Sequence, residues 1–279
     1  MSANLTRLDA ARTDAYARQA AAVRSRVQAF ASARFAAGQY RDADLARFVS
    51  QVSPIVLAGR KQTAALTDAY LSQVMRSAGI TIPVHKPVDT AALRGVDVTD
   101  VYARPYQTVW TKLSDGLTFD AAVNAGASRL IDLVATDMQM ARTYTSQNVL
   151  SRSSVTGYMR VPSGNNPCAL CEIASTQVYH SSELMPIHPG CACTEEPVTE
   201  DNPWDQASAD QRLQDTHAAV FDRLGVADSG GRDVGLGKVD SSGKSISDYT
   251  ALVAVRDHGE IGPMLVRAGD HFTGPNALK

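Results

Sequence analysis

All four cysteines of this 279-residue chain lie between positions 168 and 193. They stand as Cys168-Ala-Leu-Cys171 and, after an intervening loop, His188-Pro-Gly-Cys191-Ala-Cys193. Two short chelating groups at that separation are how a chain builds a tetrahedral zinc site: each close pair turns two ligands onto one ion, and the loop between them closes the other half. Cys168, Cys171, His188, Cys191 and Cys193 offer five donors, and one structural Zn2+ per chain needs four. If the chain is extended at CACTEEPV, Cys191 and Cys193 point to opposite faces. The expected set is then Cys168, Cys171, His188 and Cys191, with Cys193 as the substitute. His180, beside Tyr179, reads as a surface residue. Two disulfides, a redox C-x2-C pair and coincidence compete with zinc. Disulfides suit a cytosolic chain poorly, and a redox pair leaves His188, Cys191 and Cys193 unexplained.

A catalytic metal is not expected. Pro167-Cys168-Ala-Leu-Cys171 matches the P-C-x-x-C half of the zinc deaminases, but the only upstream histidine reads His85-Lys86-Pro87, and no Glu precedes Glu172. That lack also excludes a Glu-based active site anywhere before Glu172. No H-E-x-x-H, G-x-S-x-G, P-loop or G-x-G-x-x-G is present. No nucleophile and base stand at readable spacing, so no catalytic or cofactor-binding residue is assigned and a non-enzymatic role is the expectation. His217 in a helix over about 206–224 reads as surface, and His258, Glu260 and His271 fall in a string whose alternation fits a hairpin or an extended arm.

The first half has a different texture. Alanine is the commonest residue from Met1 to Tyr40, and alanine loses the least entropy in a helix. Tyr16, Ala20, Val23, Val27 and Phe30 recur at helical spacing and lay one apolar stripe; Gly38 ends the run. Asp42 is a candidate cap for the next helix, in which Leu45, Phe48, Val49, Val52, Leu66, Tyr70 and Val74 keep the period and Pro54 should kink or split it. Residues 80–87 read as a connector. Helices resume over about 97–114 and from a Thr118 cap to about 152, with Val123, Leu130, Leu133, Val134 and Met138 on one face.

These readings give an α+β, mostly α chain: long N-terminal helices, a small zinc-stapled α/β module and an extended C-terminal tail. The expected boundaries are 1–156 helical, 157–200 for the Cys/His module, 201–225 for an acidic helix and 226–279 for a Gly-rich linker and C-terminal arm. The net charge of −2 is a cancellation. Residues 1–37 carry six Arg against Asp9 and Asp14, whereas residues 194–233 carry ten acids against three Arg. The basic helix is either a solvated face or a contact to a phosphate backbone. No apolar run of about 18 residues exists to span a bilayer, and the start, MSANLTRLDAARTDAYARQ, lacks the apolar core of a secretion signal, so a cytosolic chain is expected.

The ordered set Cys168, Cys171, Tyr179, Pro186, His188, Pro189, Cys191, Cys193 and Pro197 resembles the C-terminal domain of the phage Mu F-like minor head proteins of tailed bacteriophages. The resemblance is carried by the Cys/His window. Ala192 departs from the Arg usual between the last two cysteines, and the tail HGEIGPMLVRAGDHFTGP resembles those of actinobacteriophage relatives, many of them labelled capsid maturation protease. The resemblance implies a minor capsid protein in the virion, present in several copies. Its implied partners are the portal protein and the major capsid protein, inside the capsid near the portal, with packaged DNA reached by the basic helix. Two other readings stay open, a maturation protease acting on capsid or scaffold and a nucleic-acid-binding module.

Overall fold

In the computed structural model, residues 2–162, 168–191, 193–224, 227–228, 238–239, 245–246 and 252–273 are described, without the side chains of residues 2–10, 227–228, 238–239 and 245–246 and of His217, Ala218 and Phe221. Pro167, Ala192 and residues 235–237 lie outside them. Four long helices come first: α1 (Ser2–Ala36), α2 (Asp42–Ser77), α3 (Val98–Ser114) and α4 (Phe119–Leu150). Short elements follow: β1 (Gly157–Val161), α5 (Ala169–Ala174), β2 (Val178–His180), β3 (Thr194–Pro197) and α6 (Gln206–Leu224). Three two-residue strands, β4 (Ala227–Asp228), β5 (Lys238–Val239) and β6 (Ser245–Ile246), then precede the hairpin β7 (Val253–Asp257) and β8 (Pro263–Arg267). The fold is α+β and mostly α. It parts into two compact units, residues 1–73 with 84–145, and residues 74–83 with 146–279.

In the helical unit the α1 stripe is real. Tyr16, Val23 and Val27 are buried, and the same face continues through Ala31 and Phe35. Tyr16 stacks on Tyr70 of α2 with ring centroids 4.3 Å apart, and its hydroxyl lies 2.8 Å from Thr67 Oγ1. Phe35, Tyr40, Phe48 and Tyr106 pack edge to face or tilted at the other end of the core. The loop before α2 is tied by Asp44, which accepts from the Gln39 and Arg41 amides, rather than by Asp42. Thr118 Oγ1 accepts from the Ala121 amide, as its capping role requires. Gly126 lets α4 approach α3, since a Cβ there would stand 2.6 Å from Val109 Cγ2 and 2.7 Å from the Pro105 carbonyl.

Pro54 neither splits nor ends α2, which runs unbroken through it. A proline inside a helix costs about 3 kcal/mol. Phe48, Val52 and Val56 are buried around it at 0–2% exposure, and burying three such side chains contributes more than that cost. The α4 face is also wider than its periodicity predicts: residues 133–140 are buried without interruption, polar Thr136, Asp137 and Gln139 included. Asp137 is held by three partners. Arg94 Nε donates to its Oδ1 at 2.5 Å, while Arg60 Nη2 and the Tyr102 hydroxyl donate to Oδ2 at 2.6 and 2.8 Å. Arg60 also reaches the Thr90 and Ala91 carbonyls. The segment leading into α3 is thereby fastened to the helices by buried charge.

In the second unit β1 is central, flanked by antiparallel β2 and β3, with Tyr158 opposite Tyr179 and Arg160 opposite Glu195. The C-terminal string folds as a hairpin, Ala254 facing Val266. It joins the module through Ile187, whose amide donates to the Pro263 carbonyl and whose carbonyl accepts from the Leu265 amide. One buried cluster collects Leu170, Cys171, Ile173, Cys191, Cys193, Leu213, Val220, Leu252 and Leu265.

Candidate metal centre

The first chelating pair is built on a helix start. Cys168 caps the six-residue α5, and its Sγ accepts from the Cys171 amide at 3.3 Å. Every residue of α5 is buried, so this short helix, unable to persist alone, is held by its surroundings. The second pair follows a turn. Gly190 takes φ +79°, the left-handed region that glycine enters without strain, and the Cys191 amide donates to the His188 carbonyl. The Cys193 amide then donates to Cys191 Sγ at 3.3 Å.

The extended geometry considered for CACTEEPV holds over TEEP but does not separate the two cysteines before it. β3 begins only at Thr194, and Cys191 and Cys193 turn their sulfurs to the same side, 2.9 Å apart. Cys171 Sγ stands 3.0 Å from Cys191 Sγ. The Cys168, Cys171 and Cys191 sulfurs all lie within 4.8 Å of one another, close enough to hold a metal ion. All four cysteines are free thiols. A tetrahedron of sulfurs about 2.3 Å from a central ion has edges of about 3.8 Å, so the 3.0 Å pair of Cys171 and Cys191 would open slightly to admit one. A disulfide joins two sulfurs, whereas here Cys191 meets both Cys171 and Cys193.

Neither Cys193 nor His188, which is half-buried, is in the three-sulfur group. With Cys168, His188 lines a cavity of about 440 Å³, together with Leu170, Arg223, Leu265 and Asp270. His180 is exposed at the end of β2 with Nδ1 2.7 Å from Ser182 Oγ, and His258 sits at the hairpin turn with its ring against Phe272.

Electrostatics favour sulfur acting as a set. Hydrogen bonding with Cys168, Cys171 and Cys193 holds the Cys191 thiol well below its ordinary value, while hydrogen bonding with Cys168, Cys191 and Cys193 and burial push Cys171 up. For Cys168, hydrogen bonding with Cys171 pulls down but is outweighed by hydrogen bonding with Cys191 and burial, and the thiol ends at about 11.

One neighbour lay outside the motif. Arg160 of β1 is 3% exposed, its Nη1 donates to Cys171 Sγ at 3.6 Å, and its Nη2 donates to the Pro186 carbonyl. Nothing in the spacing of the cysteines marks a position well upstream of Cys168. The available signal was its alternation within GYMRV, which places Arg160 on the same side of β1 as the buried Tyr158.

The profile of the VG15 protein family matches residues 7–220. The chain belongs to the VG15 protein family. This is a family of viral proteins, and the match runs from α1 through the sulfur cluster into α6, stopping before the hairpin. No curated protein and no solved structure matches the chain. Among the described residues, no helix of this VG15 protein is long and apolar enough to cross a membrane.

Proposed function

We propose that this VG15 protein is a minor capsid protein of a tailed phage, associating with the portal protein and the inner face of the major capsid shell during head assembly. The observation that carries the reading is the closure of the 168–193 window into one buried sulfur cluster, in a chain of a viral family that also holds a long helical unit. The window is the segment that resembles the Mu F-like minor head proteins. Long helices supply contact surface, and exposed Arg18, Arg26 and Arg34 on α1 supply charge that can face packaged DNA.

The donor set fits Zn2+. The sulfurs of Cys168, Cys171 and Cys191 converge, with Cys193 Sγ beside Cys191 Sγ, and Cys168 and Cys191 already accept backbone N–H bonds of the kind that settle thiolate ligands. Cys168, Cys171, Cys191 and Cys193 would hold the ion, with His188 as the replacement for Cys193. Bound there, zinc supplies structural cross-linking and no chemistry, because four protein ligands leave no open position.

The measurement that tests the role is mass spectrometry of purified virions. A minor capsid protein is present at a constant low ratio to portal, in several copies per particle; its absence from both virions and assembling heads would dismiss the reading. The alternative, a capsid maturation protease, rests on Cys168, His188 and Asp270 lining one cavity. It requires that processed major capsid termini disappear when Cys168 is replaced by Ser, and persistence of processing would end it.

A further inference from the structure

We infer that Arg160 is a positioning residue of the sulfur cluster, offsetting the net negative charge that its thiolates would carry around a metal ion and fixing the loop that carries its second half. The inference rests on the metal-site reading above. Four thiolates around a divalent ion carry two net negative charges. Cys171, Cys191 and Cys193 are each at most 8% exposed, and an uncompensated charge in such surroundings is costly. Arg160 brings a cation that is itself buried, with one nitrogen on Cys171 Sγ and another on the Pro186 carbonyl.

The placement follows from strand register. β1 pairs with β3 so that Arg160 faces Glu195, two residues after Cys193, while Pro186 lies two residues before His188. One planar guanidinium thus touches the first chelating pair and the approach to the second. Arginine suits this better than lysine, because its fork can serve two acceptors at fixed angles while an ammonium is a point charge. A residue that donates to a ligand sulfur also withdraws electron density from it, so its removal alters the metal–sulfur bond itself and not merely the fold.

The test uses the full chain carrying Arg160→Gln and Arg160→Lys, titrated with Zn2+ against a competing chelator and with Co2+ as a spectroscopic probe. Arg160→Gln is expected to weaken Zn2+ binding about 10- to 100-fold, the range seen when an outer partner of a metal ligand is lost. Its sulfur-to-cobalt charge-transfer band should move to lower energy, and Arg160→Lys should recover part of the affinity but not the band position. Wild-type affinity and an unmoved band in Arg160→Gln overturn the proposal while leaving the metal site standing. A wild-type chain that binds neither ion overturns the metal site and this proposal together. If Arg160→Gln fails to fold, Arg160→Lys decides: a wild-type cobalt spectrum there overturns the proposal, and a shifted one supports it.

Discussion

The helical unit buries Phe35, Tyr102, Tyr106, Leu130 and Leu133 at 2% exposure or less along helices of 17–36 residues. The second unit instead gathers a six-residue helix, strands of two to five residues, the 19-residue α6 and four sulfurs. In the first, apolar area is plentiful, and the main polar feature of the core, Asp137 with Arg60, Arg94 and Tyr102, fastens the segment before α3 to a framework that packing already provides. In the second, Cys171, Cys191 and Cys193 are members of the apolar core itself, so a metal ion held there would make cross-link and core one object. Small modules with short elements need such a staple because their area alone leaves stability near zero.

The contrast between the units breaks most visibly if metal is removed. If the proposed zinc site is right, stripping zinc with a strong chelator, or replacing Cys171 by Ser, should unfold the module around residues 157–200, because metal binding there would supply folding free energy on the order of 10 kcal/mol. Hydrogen exchange would show amides of β1, α5 and β3 losing protection while α1–α3 keep theirs. Loss of protection in all helices at once would mean that the two units do not differ in the way argued.

Next in size is Asp137→Ala, which leaves two buried guanidinium groups without their carboxylate and should cost about 3–5 kcal/mol in chemical unfolding of the helical unit. Burial opposes the charged form of Asp137, but Arg94 and Arg60 outweigh it and hold the carboxyl below its ordinary value of 3.8. A carboxyl depressed by folding contributes stability above its unfolded value and loses it as pH falls through the folded one. The wild-type helical unit should therefore hold this contribution above about pH 4 and lose it progressively below, whereas Asp137→Ala should lack that acid limb. The smallest effect is Gly126→Ala: the added methyl meets Val109 and the Pro105 carbonyl, and overpacking of that kind costs about 1–3 kcal/mol. A thermal melt that shows no loss would mean that α3 and α4 can separate slightly at no cost.

Much of this was legible from short-range pattern. The α1 stripe, the Thr118 cap, the α6 limits and the paired cysteine groups are all set within a few residues, where spacing alone decides which side chains share a face. Pro54 misled because a local breaker is judged by its own cost, while the faces around it pack against distant partners. The side to which Cys193 points differs from the expectation, because its sulfur lies 2.9 Å from that of Cys191 and not on the opposite face. Asp42 was displaced by Asp44 as the residue tying the loop, a shift of two positions that decides which carboxylate reaches the amides.

Neighbouring residues are therefore enough to write the helical first half, the minor-head resemblance of the Cys/His window and the presence of a chelating set. Only folding brings the Cys168, Cys171 and Cys191 sulfurs together, sets Arg160 against Cys171, joins the C-terminal hairpin to the module through Ile187, and leads Asp137 to Arg60, Arg94 and Tyr102. These last contacts link residues far apart in the chain. Over such separations no periodicity carries information, and it is strand register and the demand that buried charge be paired that choose the partner.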